Sequence, residues 1–262
     1  MKKIKIKQSL KKIPLFSNLL LYLNRRFFNK KPAAFDLPTT WLDKLIQGDN
    51  VIIVQIGSND GVHGDPIFKL IKKNPKWKAL FVEPIPYLFE RLKRNYGTDV
   101  RFSFENVAVN EGTVQTFYSV KEEAKIDYPD LPSWYDQLGS FNRQNIVKHL
   151  NGILEPYIVE TQLSGMSLFE LFQKNDIQDI TLLHIDAEGY DWRILSQLDL
   201  EKFRPIIILF EHKHLTKTER VNSIKFLKKN YFIFKLKSDY ISILKSNINK
   251  EKVQEIKREF KS

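Results

Sequence analysis

The sequence of 262 residues predicts a doubly wound α/β domain with a mostly parallel sheet. From residue 51 onward, apolar runs of strand length alternate with segments of helical periodicity, which is the pattern of βαβ units. The hydrophobic fraction of 42% suffices for a sizeable core. A chain of this length suits one such domain with extensions better than two equal domains.

Each predicted strand is a short apolar run. Residues 51–56 form the first, and their nearly continuous apolar character is expected of a strand that is covered on both faces. The following helix is predicted to have Asp65 as its cap and Pro66 in its first position. Further strands are expected at 79–82, 101–109 (extended by 114–120), 180–185 and 206–210, and a C-terminal antiparallel hairpin at 231–236 and 240–244.

Charged segments flank the central domain. The formal net charge is +11, and much of the basic excess lies in residues 1–12 and 245–261. We expect residues 1–45 to form a basic helical N-terminal extension, residues 46–245 the main domain and residues 246–262 a charged C-terminal tail. Within the main domain, residues 121–164 are predicted to be an insertion, and their aromatic side chains indicate order.

The net charge favours anionic partners, namely nucleic acid, phosphorylated substrates or an acidic membrane surface. The apolar face of residues 13–23 lies beside basic residues, so the N-terminal extension is predicted either to contact an anionic membrane or to pack on the protein. No run reaches the roughly 18–20 apolar residues of a membrane-spanning helix. Cysteine is absent, which excludes disulfides. We expect the protein to be cytoplasmic. If the N-terminal extension binds lipid, the protein would be peripherally associated with the membrane.

The first candidate for a ligand contact is the turn Gly57-Ser58-Asn59-Asp60-Gly61, directly after the first strand. Small residues there let the backbone approach a ligand closely, at the edge where open α/β sheets bind ligands. An ordinary strand-to-helix turn has the same composition. The turn therefore needs a second signal before it indicates a function.

Glu83 supplies that second signal, because it immediately follows the second strand. A carboxylate at this point accepts hydrogen bonds from two ribose hydroxyls, so the pair of signals favours a nucleoside ligand. The glycines fall as G-x-x-x-G rather than the G-x-G-x-x-G of dinucleotide sites. Asp60 inside the turn would repel a pyrophosphate and attract the ammonium of a methionine moiety. These features predict S-adenosylmethionine rather than NAD.

Candidates for chemistry follow the fourth and fifth strands. Asp186 ends one strand, and Glu211 and His212 end the next, so neighbouring strand ends would bring them to one cleft. Such a group removes a proton from a hydroxyl or holds a divalent cation such as Mg²⁺, and the residues leave open which. Glu188 and Asp191 are interpreted as favouring a helix N-terminus. His184 is interpreted as an orienting neighbour, and His214 as either solvated or functional.

Five short motifs occur in a fixed order along roughly residues 50–245. They are residues 54–61 (VQIGSNDG), 82–84 (VEP), 106–109 (NVAV), 185–191 (IDAEGYD) and 211–212 (EH). This order and spacing resemble those of the FkbM-type methyltransferases. The resemblance implies a Rossmann-like class I methyltransferase sheet, S-adenosylmethionine as the methyl donor, and O-methylation of sugar or natural-product hydroxyls.

The resemblance also implies roles for individual residues. Asp186 would face the methyl group, and the inserted segment would lie on the acceptor side. One departure is His184, because members of the family often carry lysine there. The implied cofactor-binding set is Gly57, Ser58, Asn59, Asp60 and Gly61 around the methionine part, Glu83 at the ribose and Asn106 at the adenine, with the adjacent Pro84 and Val107 also included.

We therefore expect an S-adenosylmethionine-dependent methyltransferase that methylates a hydroxyl of a sugar, glycan or natural product. The first alternative is a nucleic-acid ribose 2′-O-methyltransferase using Asp186, Glu211 and a lysine such as Lys213, which the net charge supports. The second is a non-catalytic basic binding module on the same fold. Suitable side chains follow the first, second, fourth and fifth predicted strands, so the sequence favours an enzyme over a binding module. It also favours a hydroxylated small-molecule or glycan acceptor over nucleic acid.

Overall fold

A seven-stranded sheet forms the centre of the protein, as seen in a computed structural model that describes residues 37–259. The strands are β1 (Ile52–Ile56), β2 (Lys78–Val82), β3 (Phe102–Glu105), β4 (Ala108–Val109), β5 (Val114–Val120), β6 (Ile158–Met166), β7 (Leu182–Ile185), β8 (Ile207–Glu211), β9 (Tyr231–Leu236) and β10 (Asp239–Leu244). The helices are α1 (Leu37–Leu45), α2 (Phe68–Lys73), α3 (Pro86–Tyr96), α4 (Ala124–Asp127), α5 (Arg143–Val147), α6 (Leu168–Lys174), α7 (Asp191–Leu195), α8 (Lys217–Leu227) and α9 (Lys250–Glu259).

The strand order of the central sheet is β3-β2-β1-β7-β8-β10-β9. All neighbouring strands are parallel except at β10, which runs antiparallel to both β8 and β9. The predicted doubly wound, mostly parallel sheet and its C-terminal hairpin are therefore confirmed. The order reverses between β1 and β7, and this switch point is where open α/β sheets bind ligands.

Helices cover both faces of this sheet, which is why its central strands β1, β7 and β8 are mostly apolar and buried. Along β1, Ile53 contributes to one buried cluster and Val54 to the opposite one. This alternation follows from the two-residue period of a strand. The cluster around Ile53 includes residues of α1, α2, α3 and α9, and the cluster around Val54 includes residues of α6, α7 and α8.

Residues from both charged flanks belong to the domain core. Trp41 and Leu42 of α1 are buried, as are Val253 and Ile256 of α9, and all four lie in the cluster around Ile53. Thus part of the predicted tail 246–262 is an amphipathic helix packed against the sheet. Residues 1–36, which carry most of the predicted basic extension and its membrane-binding face, lie outside the described part of the chain.

The predicted third strand, 101–109, is wrong in its second half. Strand β3 ends at Glu105, opposite the last residue of β2. Residues Ala108 and Val109 instead pair with Gly165 and Met166 of β6 in a separate sheet of order β4-β6-β5. The pairing partner of this segment changes where β2 ends, and local sequence does not encode that change.

The insertion has a small core of its own and is anchored to the central domain by α3. Its buried residues include Leu131, Tyr135 and Leu154. From α3, Tyr87 donates a hydrogen bond to the carbonyl of Asp136 at 2.8 Å, and Arg91 forms ion pairs with Asp136 and Glu122. Strands β5 and β6 extend the inserted unit beyond the predicted limits 121–164.

No helix within residues 37–259 has the length and apolarity needed to cross a membrane.

We expect Ile256→Ala to lower the free energy of unfolding by about 2–5 kcal/mol, because Ile256 is 1% exposed in the core. Gln254→Ala on the exposed side of the same helix is the control, with an expected change below about 0.5 kcal/mol. Urea unfolding measures both. Equal stability of the two variants would show that α9 is a detached tail.

Candidate active site

The glycine turn and the end of β7 meet at the switch point of the sheet. A Cβ atom on Gly57 would lie 1.8 Å from the carbonyl oxygen of Asp186, and φ of Gly57 is +81°. Both the contact and the conformation require glycine. Gly61 (φ +71°) is similarly constrained, because a Cβ there would lie 2.5 Å from Leu92. The sequence predicted a close approach to a ligand, and the structure places protein atoms against these glycines.

Four of the five backbone amides of turn 57–61, those of Gly57, Ser58, Asn59 and Gly61, donate hydrogen bonds within the protein, as do the two amides that follow it. Asp60 Oδ1 accepts hydrogen bonds from the amides of Val62 (3.0 Å) and His63 (2.9 Å), and the amide of Asn59 donates to Glu83 Oε2 at 2.8 Å. Asp65 Oδ1 accepts from the amides of Ile67 (2.6 Å) and Phe68 (2.9 Å), but α2 begins at Phe68 with Ile67 as its cap, so the predicted cap at Asp65 and first position at Pro66 are two residues too early. A pyrophosphate would need such amides as donors, so the turn is unsuited to a dinucleotide.

Asp60 lies elsewhere than the sequence analysis expected. Its carboxylate is buried, contacts His63 Nδ1 at 2.5 Å, and is absent from the walls of the two cavities described below. These hydrogen bonds lower its pKa against the effect of burial, which is the largest single influence. Asp60 therefore organises the turn, and the expected contact with a methionine ammonium has no support in its position.

Glu83 is a buried carboxyl group at the carboxyl end of β2. It is 2% exposed, and its second oxygen, Oε1, accepts the amide of Ile85 at 2.8 Å. Each carboxylate oxygen keeps a lone pair beyond its one amide contact, so a pair of hydroxyls still has acceptors. Burial raises the pKa of Glu83 to about 7, and the charges of Asp186 and Asp60 act in the same direction, while the amides of Ile85 and Asn59 oppose it.

The first of two adjoining cavities contains Glu83 in a largely apolar wall. The predicted residues Pro84 and Val107 line it, together with Ile85. Asn106 does not. It is exposed, and its amide nitrogen donates to the backbone carbonyl of Glu83 at 2.7 Å, so it connects the ends of β2 and β3.

The second cavity, of about 340 Å³, lies beside the first at the carboxyl edge of β1, β7 and β8. Gly57, Asn59, Gln137, Asp186 and Glu188 belong to both cavities. The predicted Ser58 also lines the second cavity, although its hydroxyl donates to the carbonyl of Gln55. The shared residues mark the boundary at which ligands in the two cavities would meet.

Asp186 occupies this boundary, where the sequence analysis expected the reacting group. Burial raises its pKa to about 6, and the ammonium of Lys213 opposes the shift. Lys213 itself is exposed and lines the second cavity. Asp186 thus brings a carboxylate to the point that both cavities share.

The other two predicted catalytic residues separate in the structure. Glu211 is partly buried beside the second cavity, with its Oε2 3.7 Å from His214 Nε2. His212 points elsewhere, because side chains alternate along the extended chain at the end of β8. It is buried against the ring of Tyr240, with centroids 4.3 Å apart, and lines neither cavity. The predicted grouping of His212 with Asp186 is therefore wrong.

Glu188 and Asp191, interpreted together from sequence, have different surroundings. Asp191 is fully buried and accepts amide hydrogen bonds from Gly189 (3.1 Å) and Glu211 (3.2 Å), which joins the β7 and β8 loops. Glu188 has a left-handed backbone (φ +47°), and its carbonyl accepts a hydrogen bond from Asn145 of the insertion at 2.7 Å. Its side chain lines both cavities, so a helix-terminus role does not account for it.

His184 belongs to a polar chain in the wall of the second cavity. Gln55 Nε2 lies 2.8 Å from Asp65 Oδ2 and 3.1 Å from His184 Nδ1. Burial lowers the pKa of His184 to about 4, so the ring is neutral. With Nδ1 accepting from the Gln55 amide, the ring proton is assigned to Nε2. His184 is thus a buried, neutral ring held by Gln55, which is compatible with the structural role that the sequence indicated.

The insertion contributes side chains to both cavities that the sequence did not single out. Trp134, Gln137 and His149 line the second cavity, and Phe141 lines the first. The aromatic content of residues 121–164 was the one available signal that the insertion is ordered. It did not indicate which side chains reach the cleft, because that depends on how α3 and the small sheet orient the insertion.

Comparison with known protein families matches residues 55–240 to the methyltransferase FkbM domain. The chain belongs to the FkbM methyltransferase family. The matched region extends from β1 to the start of β10 and contains every residue that lines the two cavities. This FkbM protein is thus an S-adenosylmethionine-dependent methyltransferase, and the resemblance seen in the sequence is confirmed.

Solved structures similar to this FkbM chain include three methyltransferases of low sequence identity. An FkbM methyltransferase from Methylobacillus flagellatus KT is 12% identical (TM-score 0.44), with coverage of 92% of this chain and 59% of that one. A precorrin-6y C5,15-methyltransferase from Geobacter metallireducens GS-15 is 11% identical (TM-score 0.39; 82% and 89% covered). M. capricolum TrmK with S-adenosylhomocysteine is 14% identical (TM-score 0.39; 81% and 68% covered). No curated protein matches the sequence.

We expect the affinity for S-adenosylhomocysteine to rise by up to about tenfold between pH 6 and pH 8. Glu83, with a pKa of about 7, ionises in this interval, and the carboxylate is the stronger acceptor for ribose hydroxyls. Calorimetry at several pH values measures the change.

The control for this pH dependence is Glu83→Gln, which has no titrating group and should bind weakly with an affinity that varies little over the interval. Because glutamine offers one oxygen for two amides, a lowered thermal stability is also expected. A pH dependence that persists in Glu83→Gln would assign it to another group.

Proposed function

We propose that this FkbM methyltransferase methylates a hydroxyl oxygen of a sugar, glycan or related hydroxylated small molecule. The observation that carries the proposal is the position of Asp186, which lines both the nucleoside-type cavity and the wider second cavity. A carboxylate at that boundary is suited to accept the proton of a hydroxyl group in the second cavity.

The first cavity suits the adenosyl part of S-adenosylmethionine. Glu83 offers acceptors for the two ribose hydroxyls, and Ile85 and Val107 offer apolar walls for the adenine ring. The shared boundary at Gly57 and Asp186 leads from this cavity into the second, where the methionine part would continue. The pairing of the turn amides supports the same choice of cofactor, because they are not available to a pyrophosphate.

The bound cofactor supplies a methyl carbon on a positively charged sulfur. Asp186 would act on the acceptor, because a neutral alcohol is a weak nucleophile. Asp186 would take the hydroxyl proton as the acceptor oxygen gains the methyl group, and S-adenosylhomocysteine would leave as the other product. The walls of the second cavity would hold the oxygen in line with that carbon.

The walls of the second cavity favour a sugar over a nucleic acid. Trp134 is 40% exposed at this cavity, and an exposed indole is a platform for a ring-shaped acceptor. Asp65, Asp186 and Glu188 also line it, with Lys213 as the one lysine among its lining residues. Carboxylates at this density repel a phosphodiester backbone. The basic excess of the sequence is thus not concentrated where the acceptor would bind.

Asp186→Asn should lower methyl transfer by about 10²–10⁴-fold, because the amide cannot accept the proton. Its affinity for S-adenosylhomocysteine should stay near that of the parent, since the shape of the side chain is kept. Transfer of a labelled methyl group to an identified acceptor, with calorimetry for binding, measures both effects.

The matched control is Asp43→Asn, which removes an exposed carboxylate paired with Lys73 far from the cavities. A panel of monosaccharides, oligosaccharides and RNA identifies the acceptor. Label in carbohydrate hydroxyls supports the proposal, whereas label in RNA ribose would assign the enzyme to the nucleic-acid alternative. Parental activity of Asp186→Asn would rule out its role as a base.

A further inference from the structure

We propose that His149, Glu188 and His214 form a binding site for a divalent transition-metal cation at the edge of the second cavity. One ring nitrogen of each histidine and one carboxylate oxygen of Glu188 lie within 4.8 Å of one another. The three residues come from the insertion, the β7 loop and the β8 loop, which are far apart in the sequence. Two of them, His149 and Glu188, line the second cavity itself.

The spacing of these atoms approaches that of a coordination shell. His214 Nε2 is 3.4 Å from Glu188 Oε2. Two ligands that are each about 2.1 Å from a tetrahedral ion are themselves about 3.4 Å apart. Since no two of the three atoms are more than 4.8 Å apart, a contraction of at most about 1.4 Å brings the widest pair to the same spacing, and rotation of a partly exposed side chain provides it.

Glu211 gives a second, independent reason for a cation here. Its Oε2 atom is buried and has no hydrogen-bond partner among residues 37–259, yet it lies 3.7 Å from His214 Nε2. A buried carboxylate oxygen without a partner is costly. A divalent ion bound to His214 Nε2 would place positive charge beside this oxygen, which lies outside the three-residue cluster and is not counted as a ligand.

The chemistry of the donors selects the class of ion. Two imidazoles with one or two carboxylates suit Zn²⁺ and similar first-row ions, whereas Mg²⁺ prefers a shell made only of oxygen. The Mg²⁺ suggested by the sequence is therefore the less suitable ion for this cluster. Three protein ligands from His149, Glu188 and His214 leave a position that faces the cavity, as in zinc sites that bind a substrate oxygen.

Such an ion would have two effects on the enzyme. It would fix the insertion to the loops after β7 and β8, in addition to the hydrogen bond from Asn145 to the Glu188 carbonyl. The second effect rests on the proposed function. The ion would lower the pKa of an acceptor hydroxyl bound at its open position, beside the proton acceptor Asp186.

Calorimetry with Zn²⁺ on the untagged full chain, after treatment with a chelator, tests the site without cofactor or acceptor. We expect one equivalent to bind, and His149→Ala and His214→Ala each to weaken binding more than about 100-fold, beyond the 10–100-fold typical of an outer-shell change. His63→Ala is the matched control, because His63 lies outside the cluster, and it should bind zinc as the parent does. Mg²⁺ at the same concentration should not displace zinc.

Absence of stoichiometric zinc binding to the parent, or equal weakening by His63→Ala, would overturn the proposal. Circular dichroism and S-adenosylhomocysteine binding verify the fold of each variant. Anomalous diffraction at the zinc edge on parent crystals gives a test that needs no substitution. A peak bounded by His149, Glu188 and His214 supports the site, and a peak only elsewhere contradicts it. Neither zinc binding nor anomalous diffraction measures methyl transfer. A negative result in both would therefore overturn the metal site without bearing on the proposed role of Asp186.

Discussion

The contact between Gly57 and the carbonyl oxygen of Asp186 is the constraint on which the rest of the site depends. Parallel pairing of β1 with β7 brings the two loops together at the switch point, and a side chain on Gly57 would occupy the position of that oxygen. The carboxylate of Asp186 is thereby held at the boundary of both cavities. Hydrogen bonds from the amides of Gly57 and Ser58 to Val82 connect the same turn to β2, and so to Glu83.

The insertion completes what the parallel sheet begins. The sheet alone presents a carboxyl edge with acidic residues, which is common to many nucleotide-binding folds. In this protein Tyr87 and Arg91 of α3 hold the insertion over that edge, and it adds Phe141 to one cavity and Trp134 to the other. Specificity for an acceptor would therefore depend more on the insertion than on the sheet.

The sequence was sufficient to predict the sheet, its hairpin and the positions of Glu83 and Asp186, because these follow from apolar runs and the residues that end them. It was insufficient where partner choice or side-chain direction decides the outcome. Examples are the pairing of Ala108 with Gly165, the packing of His212 against Tyr240, and the hydrogen bonds that Asp60 accepts from backbone amides. Asp60 does disfavour a dinucleotide, although it does not face the ligand. Its carboxylate accepts the amides of Val62 and His63, which are then not available to a pyrophosphate. Helix α6 could have been found, because Ser167 and Glu170 form a capping box.

The central claim is that the carboxyl edge at β1, β2 and β7 binds an adenosyl cofactor and not a dinucleotide. Calorimetry of the purified chain with S-adenosylhomocysteine and with NAD tests it most directly. We expect a 1:1 complex with S-adenosylhomocysteine and no heat of binding with NAD. In Glu83→Ala the affinity for S-adenosylhomocysteine should fall by at least about tenfold. Binding of NAD without binding of S-adenosylhomocysteine would contradict the central claim.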